Sequence, residues 1–94
     1  LVLNNHLARG NADRRKEQAL GLSAWAREQN LPMIAVGDYN FDFDFATKSG
    51  NEAFRAFLND GIWKWNEPRT LIDSNWADPD KDGQDNYPDS LLDM

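Results

Sequence analysis

Three polar side chains stand where the sequence predicts that two strands end. His6 follows the apolar run 1–3, and Asp38 and Asn40 follow the apolar run 33–36. A carboxylate can orient an imidazole or bind a hard cation such as Mg²⁺, and a carboxamide can hold a water or a phosphoryl oxygen without adding charge. These groups suit metal-assisted hydrolysis of a phosphoester. The spacing alone is equally compatible with a polar turn in which Asp38 is a cap and His6 a surface residue.

A second group of carboxylates lies in the loop 78–89, which reads DPDKDGQDNYPD. Carboxylates occupy its first, third, fifth and twelfth positions, as Asp78, Asp80, Asp82 and Asp89. Gly83 permits a turn, and the backbone carbonyl of Gln84 would be the ligand at the seventh position. This pattern is typical of a Ca²⁺-binding loop. Prolines within the loop disfavour the flanking helices of a paired EF-hand, and a solvated acidic loop is the alternative.

The acidic excess of the chain is confined to its last part. The formal net charge is −6. Acidic and basic side chains cancel in residues 1–66, whereas residues 67–94 carry eight acidic and two basic side chains. A uniformly acidic surface would repel nucleic acid, but a local cluster favours cation binding.

The elements that would position these groups alternate between strands and helices. We predict strands at 1–6, 33–38, 62–65 and 90–94. We predict helices at 12–29 and at 49–61, the second beginning with a capping box of Ser49 and Glu52. The apolar run at 33–38 lacks alternation, which predicts a strand buried on both faces. A strand, helix and buried strand form a βαβ unit, whose carboxyl strand ends meet at one edge of the sheet. The topology thereby places His6 near Asp38 and Asn40.

Two motifs at this spacing resemble those of the endonuclease/exonuclease/phosphatase superfamily, which includes deoxyribonuclease I. The first is "NNHLARGNADRRKEQALGLSAWA" and the second is "LPMIAVGDYN", in which Tyr39 replaces the usual Phe. The terminal "SLLDM" resembles a further strand of the family that carries an aspartate. The resemblance implies a partial four-layer α/β sandwich with the order strand–helix–strand–helix–strands. It further implies a metal-dependent phosphoesterase or nuclease.

The resemblance implies roles for single residues. His6 would stabilise the developing charge of the scissile phosphate. Asp38 and Asn40 would place the attacking water and the metal, which is Mg²⁺ or Mn²⁺ with Asp38 as a ligand. Asp93 would orient His6 or assist the leaving group. Arg14, Arg15 and Gln18 match positions that we expect to be structural.

Two parts of the family's site have no counterpart in these 94 residues: a metal-binding Glu and a Ser-Asp-His motif whose histidine activates water. We therefore expect residues 1–94 to be a fragment of a single catalytic domain with an inserted calcium-type loop at 78–89. We also expect the isolated chain to be inactive. The alternative function is a calcium-stabilised binding or structural module without catalysis.

Composition narrows the remaining classes. The longest apolar runs are too short for a membrane span, so we predict none. The absence of cysteine excludes disulfides and thiolate-bound zinc. It is compatible with both cytoplasmic and bacterial secreted proteins, and we prefer the secreted class. Expected partners are a phosphate-ester substrate, either nucleic acid, phospholipid or a small phosphate, and a second chain that pairs with open sheet edges.

Overall fold

Three strands form one mixed sheet in the order β1-β2-β3. Strand β1 spans Val2–His6, β2 spans Ile34–Asp44 and β3 spans Ser90–Asp93. β1 and β2 are parallel, and β3 is antiparallel to β2. The structure is a computed structural model that describes residues 1–94. It confirms a small α/β fold with the predicted strand–helix–strand unit at its start.

Two helices follow the first two strands. Helix α1 spans Ala12–Arg27, and the Asn11 side chain caps it by accepting from the backbone N–H of Arg14 at 2.9 Å. Helix α2 spans Glu52–Leu58. The predicted capping box with Ser49 was wrong, because Asn51 caps α2 and Ser49 instead forms an isolated bridge with Asp44.

Both helices cover the same face of the sheet. α1 packs on α2, and α2 packs on β2. Between them lies a core of buried apolar side chains, which are Leu7, Ala19, Tyr39, Phe41, Ala53 and Phe57. Aromatic rings dominate this core, since Phe41 lies 5.0 Å from Tyr39 and 5.5 Å from Phe57 between ring centroids.

The other face of the sheet has no covering layer. Val2 and Ile34, which are paired across β1 and β2, are 73% and 63% exposed. The prediction that the run at 33–38 is buried on both faces was therefore wrong, because the helices shield only one side. The alternation of exposed and half-buried residues along the start of β2 follows from that one-sided cover.

Residues 62–65 were predicted to be a strand, and this was wrong. The segment has no ladder partner. Its two indoles are instead held by ring contacts: Trp63 stacks on Phe57 at 5.2 Å, and Trp65 meets Phe43 edge-on at 4.4 Å. The alternation of apolar and polar residues at 62–65, which suggested a strand, thus arises because the two indole rings face the core.

An irregular segment lies along the outer edge of β3. Ser74 donates its N–H to the carbonyl of Ser90 at 3.1 Å, and its hydroxyl accepts from the N–H of Leu92 at 2.8 Å. Asp73 accepts from the N–H of Ser90 at 3.0 Å. This edge is covered, whereas β1 at the opposite edge has only β2 as a neighbour. Neither helix has the length and apolar character needed to cross a membrane.

Candidate functional site

His6, Asp38 and Asp93 form one row across the three strands. His6 pairs with Asp38 in the β1–β2 register, and Asp38 pairs with Asp93 in the β2–β3 register. Residues that are paired in this way project to the same face of a sheet. Here that is the face opposite the helices. The structure adds this row to what the sequence indicated, because no local sequence pattern gives the register of β3.

The polar groups of the row are accessible. The Nε2 atom of His6 lies 3.5 Å from Oδ2 of Asp38, and their side chains are 74% and 32% exposed. A separate open cavity of about 370 Å³ lies beside His6 on the side of α1, and neither Asp38 nor Asp93 lines it. Asp93 is also exposed. A ligand can therefore reach all three side chains from solvent.

Asn40 is placed differently, because its side chain is buried at 1% exposure. Its Nδ2 atom donates to the carbonyl of Leu7 at 2.9 Å, and its Oδ1 atom accepts from Arg9 at 3.1 Å. Its backbone N–H donates to Oδ1 of Asp38 at 3.0 Å. Asn40 thus joins the chain just after β1 to the middle of β2, and it orients the Asp38 carboxylate from behind the row.

A bulge in β2 explains how Asn40 reaches this position. The ladder with β3 shifts register between Asp38 and Phe43, and Asn40 and Asp42 have left-handed backbones with φ of 50° and 48°. Strict alternation would expose Asn40, but the bulge turns it inward between Tyr39 and Phe41. Left-handed residues other than glycine are costly and persist where surrounding contacts fix them.

Helix α2 supplies one of those fixing contacts. The Nδ2 group of Asn51 donates to the backbone carbonyl of Asn40 at 2.8 Å and to Oδ2 of Asp42 at 3.0 Å. The same side chain caps α2 through its oxygen. Asn51 therefore ties the start of α2 to the bulge, a role that the sequence did not indicate.

The loop after His6 is held from α1. Arg15 is buried and donates to the carbonyls of Ala8 and Arg9 at 2.9 and 2.8 Å. Gln18 accepts from the N–H of Ala8 at 2.8 Å. These contacts support the expectation that Arg15 and Gln18 are structural residues, since both fix the path of the chain beyond β1.

Arg9 and Asn75 are the residues near the row that sequence reasoning missed. Arg9 donates to Asn75 at 2.7 Å across 66 positions of sequence, as well as to Asn40 and Asp42. The only signal in the sequence was the position of Arg9 three residues after His6. Nothing local marks Asn75, because its partner is distant and its segment has no regular structure.

The row carries ligand types that suit a hard divalent cation, although its three ligand atoms do not lie within 4.8 Å of one another, as those of the two acidic clusters in residues 73–89 do. Asp38 and Asp93 supply carboxylate oxygens from neighbouring strands on one face, and these are the ligands that Mg²⁺ and Mn²⁺ prefer. The Oδ1 atom of Asp38 accepts one hydrogen bond, from Asn40, which leaves lone pairs on both of its oxygens. His6 beside Asp38 supplies a group able to donate to an anion.

The acidic loop brings part of its predicted ligand set together. Carboxylate oxygens of Asp78, Asp80 and Asp82 lie within 4.8 Å of one another. Asp78 accepts from the N–H groups of Asp82 and Gly83, both at 3.0 Å, so the turn at Gly83 forms around its carboxylate. The N–H of Gln84 donates to Asp82 at 2.8 Å.

Asp89, the predicted twelfth ligand, lies in a different group. Its carboxylate is within 4.8 Å of those of Asp73 and Asp85. The backbone N–H of Ala77, donating at 2.9 Å, holds the pKa of Asp85 below its usual value, and the N–H of Tyr87 adds to this. The Oδ2 atom of Asp85 is buried and has no hydrogen-bond partner. Residues 73–89, which we call the acidic segment, therefore hold two clusters of three carboxylates, whereas the sequence pattern predicted one cluster.

A second cavity lies away from the row. It has a volume of about 610 Å³ and lies between β2, α2 and the segment that carries Trp63 and Trp65. None of His6, Asp38, Asn40 or Asp93 lines it.

Comparison of the chain with protein-family models, with curated proteins and with solved structures gives no match.

Proposed function

We propose that this chain is a segment of a divalent-metal-dependent phosphoesterase or nuclease of the endonuclease/exonuclease/phosphatase type. The observation that carries the proposal is the row of His6, Asp38 and Asp93 on three adjacent strands. An imidazole and two carboxylates on one accessible face are suited to bind a metal-complexed phosphate ester. The uncovered face of the sheet is compatible with a second sheet in a four-layer α/β sandwich.

Each side chain of the row would have its own chemical role. Asp38 and Asp93 would hold Mg²⁺ or Mn²⁺, which when bound neutralises phosphate charge and lowers the pKa of a coordinated water. Asp93 would also act on the leaving group, and His6 would donate to a phosphoryl oxygen as negative charge develops there. Asn40, with its amide bound to Leu7 and Arg9, would act through the orientation of Asp38.

Turnover of a phosphodiester tests the proposal. We expect no hydrolysis of bis(p-nitrophenyl) phosphate by the 94-residue chain with Mg²⁺, because the resemblance assigns a metal-binding Glu and a water-activating His to residues that it does not contain. A longer chain that joins this sequence to both elements should hydrolyse the ester. In that chain Asp38→Asn should lower kcat by roughly 10²–10³, the effect of removing one charge-stabilising group.

The outcomes that oppose the proposal are distinct. Robust turnover by the pure 94-residue chain would show that the missing Glu and His are not required. Equal turnover by the longer chain and its Asp38→Asn variant would remove Asp38 from the site. Glu17→Gln is a matched control, since Glu17 is exposed on α1 and makes no side-chain contact with the row.

The alternative function, a calcium-stabilised module without catalysis, is favoured by a separate observation. The acidic segment holds two groups of three carboxylates, and one buried oxygen of Asp85 lacks a partner. Ca²⁺ bound there would relieve repulsion among the carboxylates and order the segment. This function predicts cation binding in residues 73–89 and none at the row.

The proposed substrate is a phosphate ester of nucleic acid, phospholipid or a small molecule. Self-association is a further proposal and concerns the edge at β1, because Asp73 and Ser74 cover the edge at β3. An uncovered strand of five residues offers backbone groups to a second chain.

A further inference from the structure

Arg9 is a half-exposed cation fixed just beyond the carboxyl end of β1. Its side chain is 47% exposed. Three side-chain oxygens hold its guanidinium. Two are from β2, at 3.1 Å for Asn40 and 3.4 Å for Asp42, and one is from Asn75 at 2.7 Å. An exposed arginine side chain usually samples many rotamers, and holding it at three points removes much of that freedom.

The hydrogen bonds leave part of the guanidinium free. Arginine has five N–H donors in a planar fork. The two contacts to Asn40 and Asp42 are made by Nη1, and the contact to Asn75 is made by Nη2. The Nε donor and one donor of Nη2 are left without a partner. A guanidinium with two free donors can bind a phosphate or carboxylate in a bidentate way.

Other cations of this region are already committed. Arg15 is buried, and its Nη1 atom donates to two backbone carbonyls beneath Arg9. Lys16 pairs with Glu52 on the helical side. Arg9 therefore presents its charge to solvent next to Asn40, whose backbone N–H in turn bonds to Asp38 of the row.

We propose that Arg9 is the anion-binding residue of this site and receives a phosphoryl oxygen of the substrate, with Asn75 holding its guanidinium in place. The inference rests on the proposed function, and it assigns a group that the resemblance did not. Asn75 lies in the acidic segment, where its N–H donates to Asp73 at 3.0 Å. The order of that segment is thereby linked to the placement of Arg9.

This role is tested by titrating the 94-residue chain with inorganic phosphate in the presence of Mg²⁺. Binding is monitored through the amide and arginine Nε–H resonances. We expect the resonances of Arg9 and of residues 38–42 to shift. Arg9→Gln should weaken phosphate binding about tenfold, the usual worth of a charge-assisted hydrogen bond. Arg9→Lys should give an intermediate loss because it keeps the charge and loses the fork. The matched control Arg14→Gln, which alters an exposed arginine of α1 with no side-chain contact, should stay within about twofold of the parent.

Each outcome decides the role of Arg9. Equal affinity of the parent chain and Arg9→Gln, or no binding by the parent chain, overturns it. If His6→Ala weakens binding while Arg9→Gln does not, the role of Arg9 fails and the proposed function stands. Asn75→Ala is a second variant, for the case in which Arg9→Gln does not fold. It keeps Arg9 and the contact of Arg9 with Asn40. It should weaken binding by about threefold with an unchanged amide spectrum for α1 and α2, and unchanged affinity in a folded Asn75→Ala counts against the proposal.

Discussion

Replacement of Gly37 by alanine is expected to lower the free energy of unfolding by about 3–5 kcal/mol, which combines backbone strain and overpacking. Gly37 lies in β2 with φ of 126°, a backbone conformation that residues with a Cβ rarely adopt. A Cβ built there would lie 2.1 Å from the carbonyl oxygen and 2.8 Å from the nitrogen of Asn5. Both are backbone atoms of the paired strand β1, so they cannot move aside without separating the strands.

Urea unfolding followed by tryptophan fluorescence measures this change, and Gly21→Ala is its matched control. Gly21 lies within α1, and a Cβ at that position would meet nothing within 4 Å. Alanine there should raise stability by about 0.5–1 kcal/mol, because it restricts the unfolded chain and favours the helix. A Gly37→Ala variant as stable as the parent would show that β1 and β2 are not paired in this register.

Replacement of Asn40 by alanine is expected to cost about 2–4 kcal/mol. The change removes the donor to Leu7 and the acceptor for Arg9, and it leaves a buried carbonyl without a partner. It also places alanine at a left-handed φ of 50°, which asparagine tolerates better. The loss should extend to the site, because Asn40 links the chain after His6 to β2.

The same unfolding experiment measures the effect of Asn40→Ala, and the amide spectrum reports its extent. Asn30→Ala is the control, since Asn30 is exposed and forms no side-chain hydrogen bond, and it should change stability by less than about 0.5 kcal/mol. We expect amide shifts at residues 6–9 in Asn40→Ala only. A cost below 1 kcal/mol, or unchanged amides at 6–9, would show that Asn40 does not join the chain after β1 to β2.

Local signals accounted for the elements that the sequence predicted well. The apolar runs before His6 and Asp38 and the cap at Asn11 are each set by residues close in sequence, and β1, α1 and the start of β2 followed from them. The parallel pairing also followed, because a strand, helix and strand of these lengths connect in that way.

Features set by distant contacts could not be predicted. The bulge at Asn40 depends on Asn51, the residue that caps α2, and on Leu7 beyond β1, so no local sequence pattern indicated its left-handed backbone. The strand predicted at 62–65 failed for a similar reason, since Trp63 and Trp65 find their partners among aromatic rings of β2 and α2. Burial of one face, which the apolar run cannot distinguish from burial of two, was likewise decided by the helices.

The candidate site shows the same division. Local sequence indicated His6 and Asp38 as residues at strand ends. His6 ends β1, but the prediction for Asp38 was wrong, because β2 continues to Asp44. The register places the two residues opposite each other. Asp93 joined them through the pairing of β3, which the sequence signalled only by resemblance. Arg9 and Asn75 were not indicated, because the contact between them spans 66 positions and joins two irregular segments.

Paramagnetic broadening of amide resonances by Mn²⁺ tests most directly the claim that the row binds a divalent metal. With substoichiometric Mn²⁺, the account predicts selective broadening at residues 6, 38 and 93, alongside any broadening within 73–89. Asp38→Asn should abolish the first set and spare the second. Broadening confined to residues 73–89, with residues 6, 38 and 93 unaffected and Asp38→Asn without effect, would contradict the claim and favour the calcium-stabilised module.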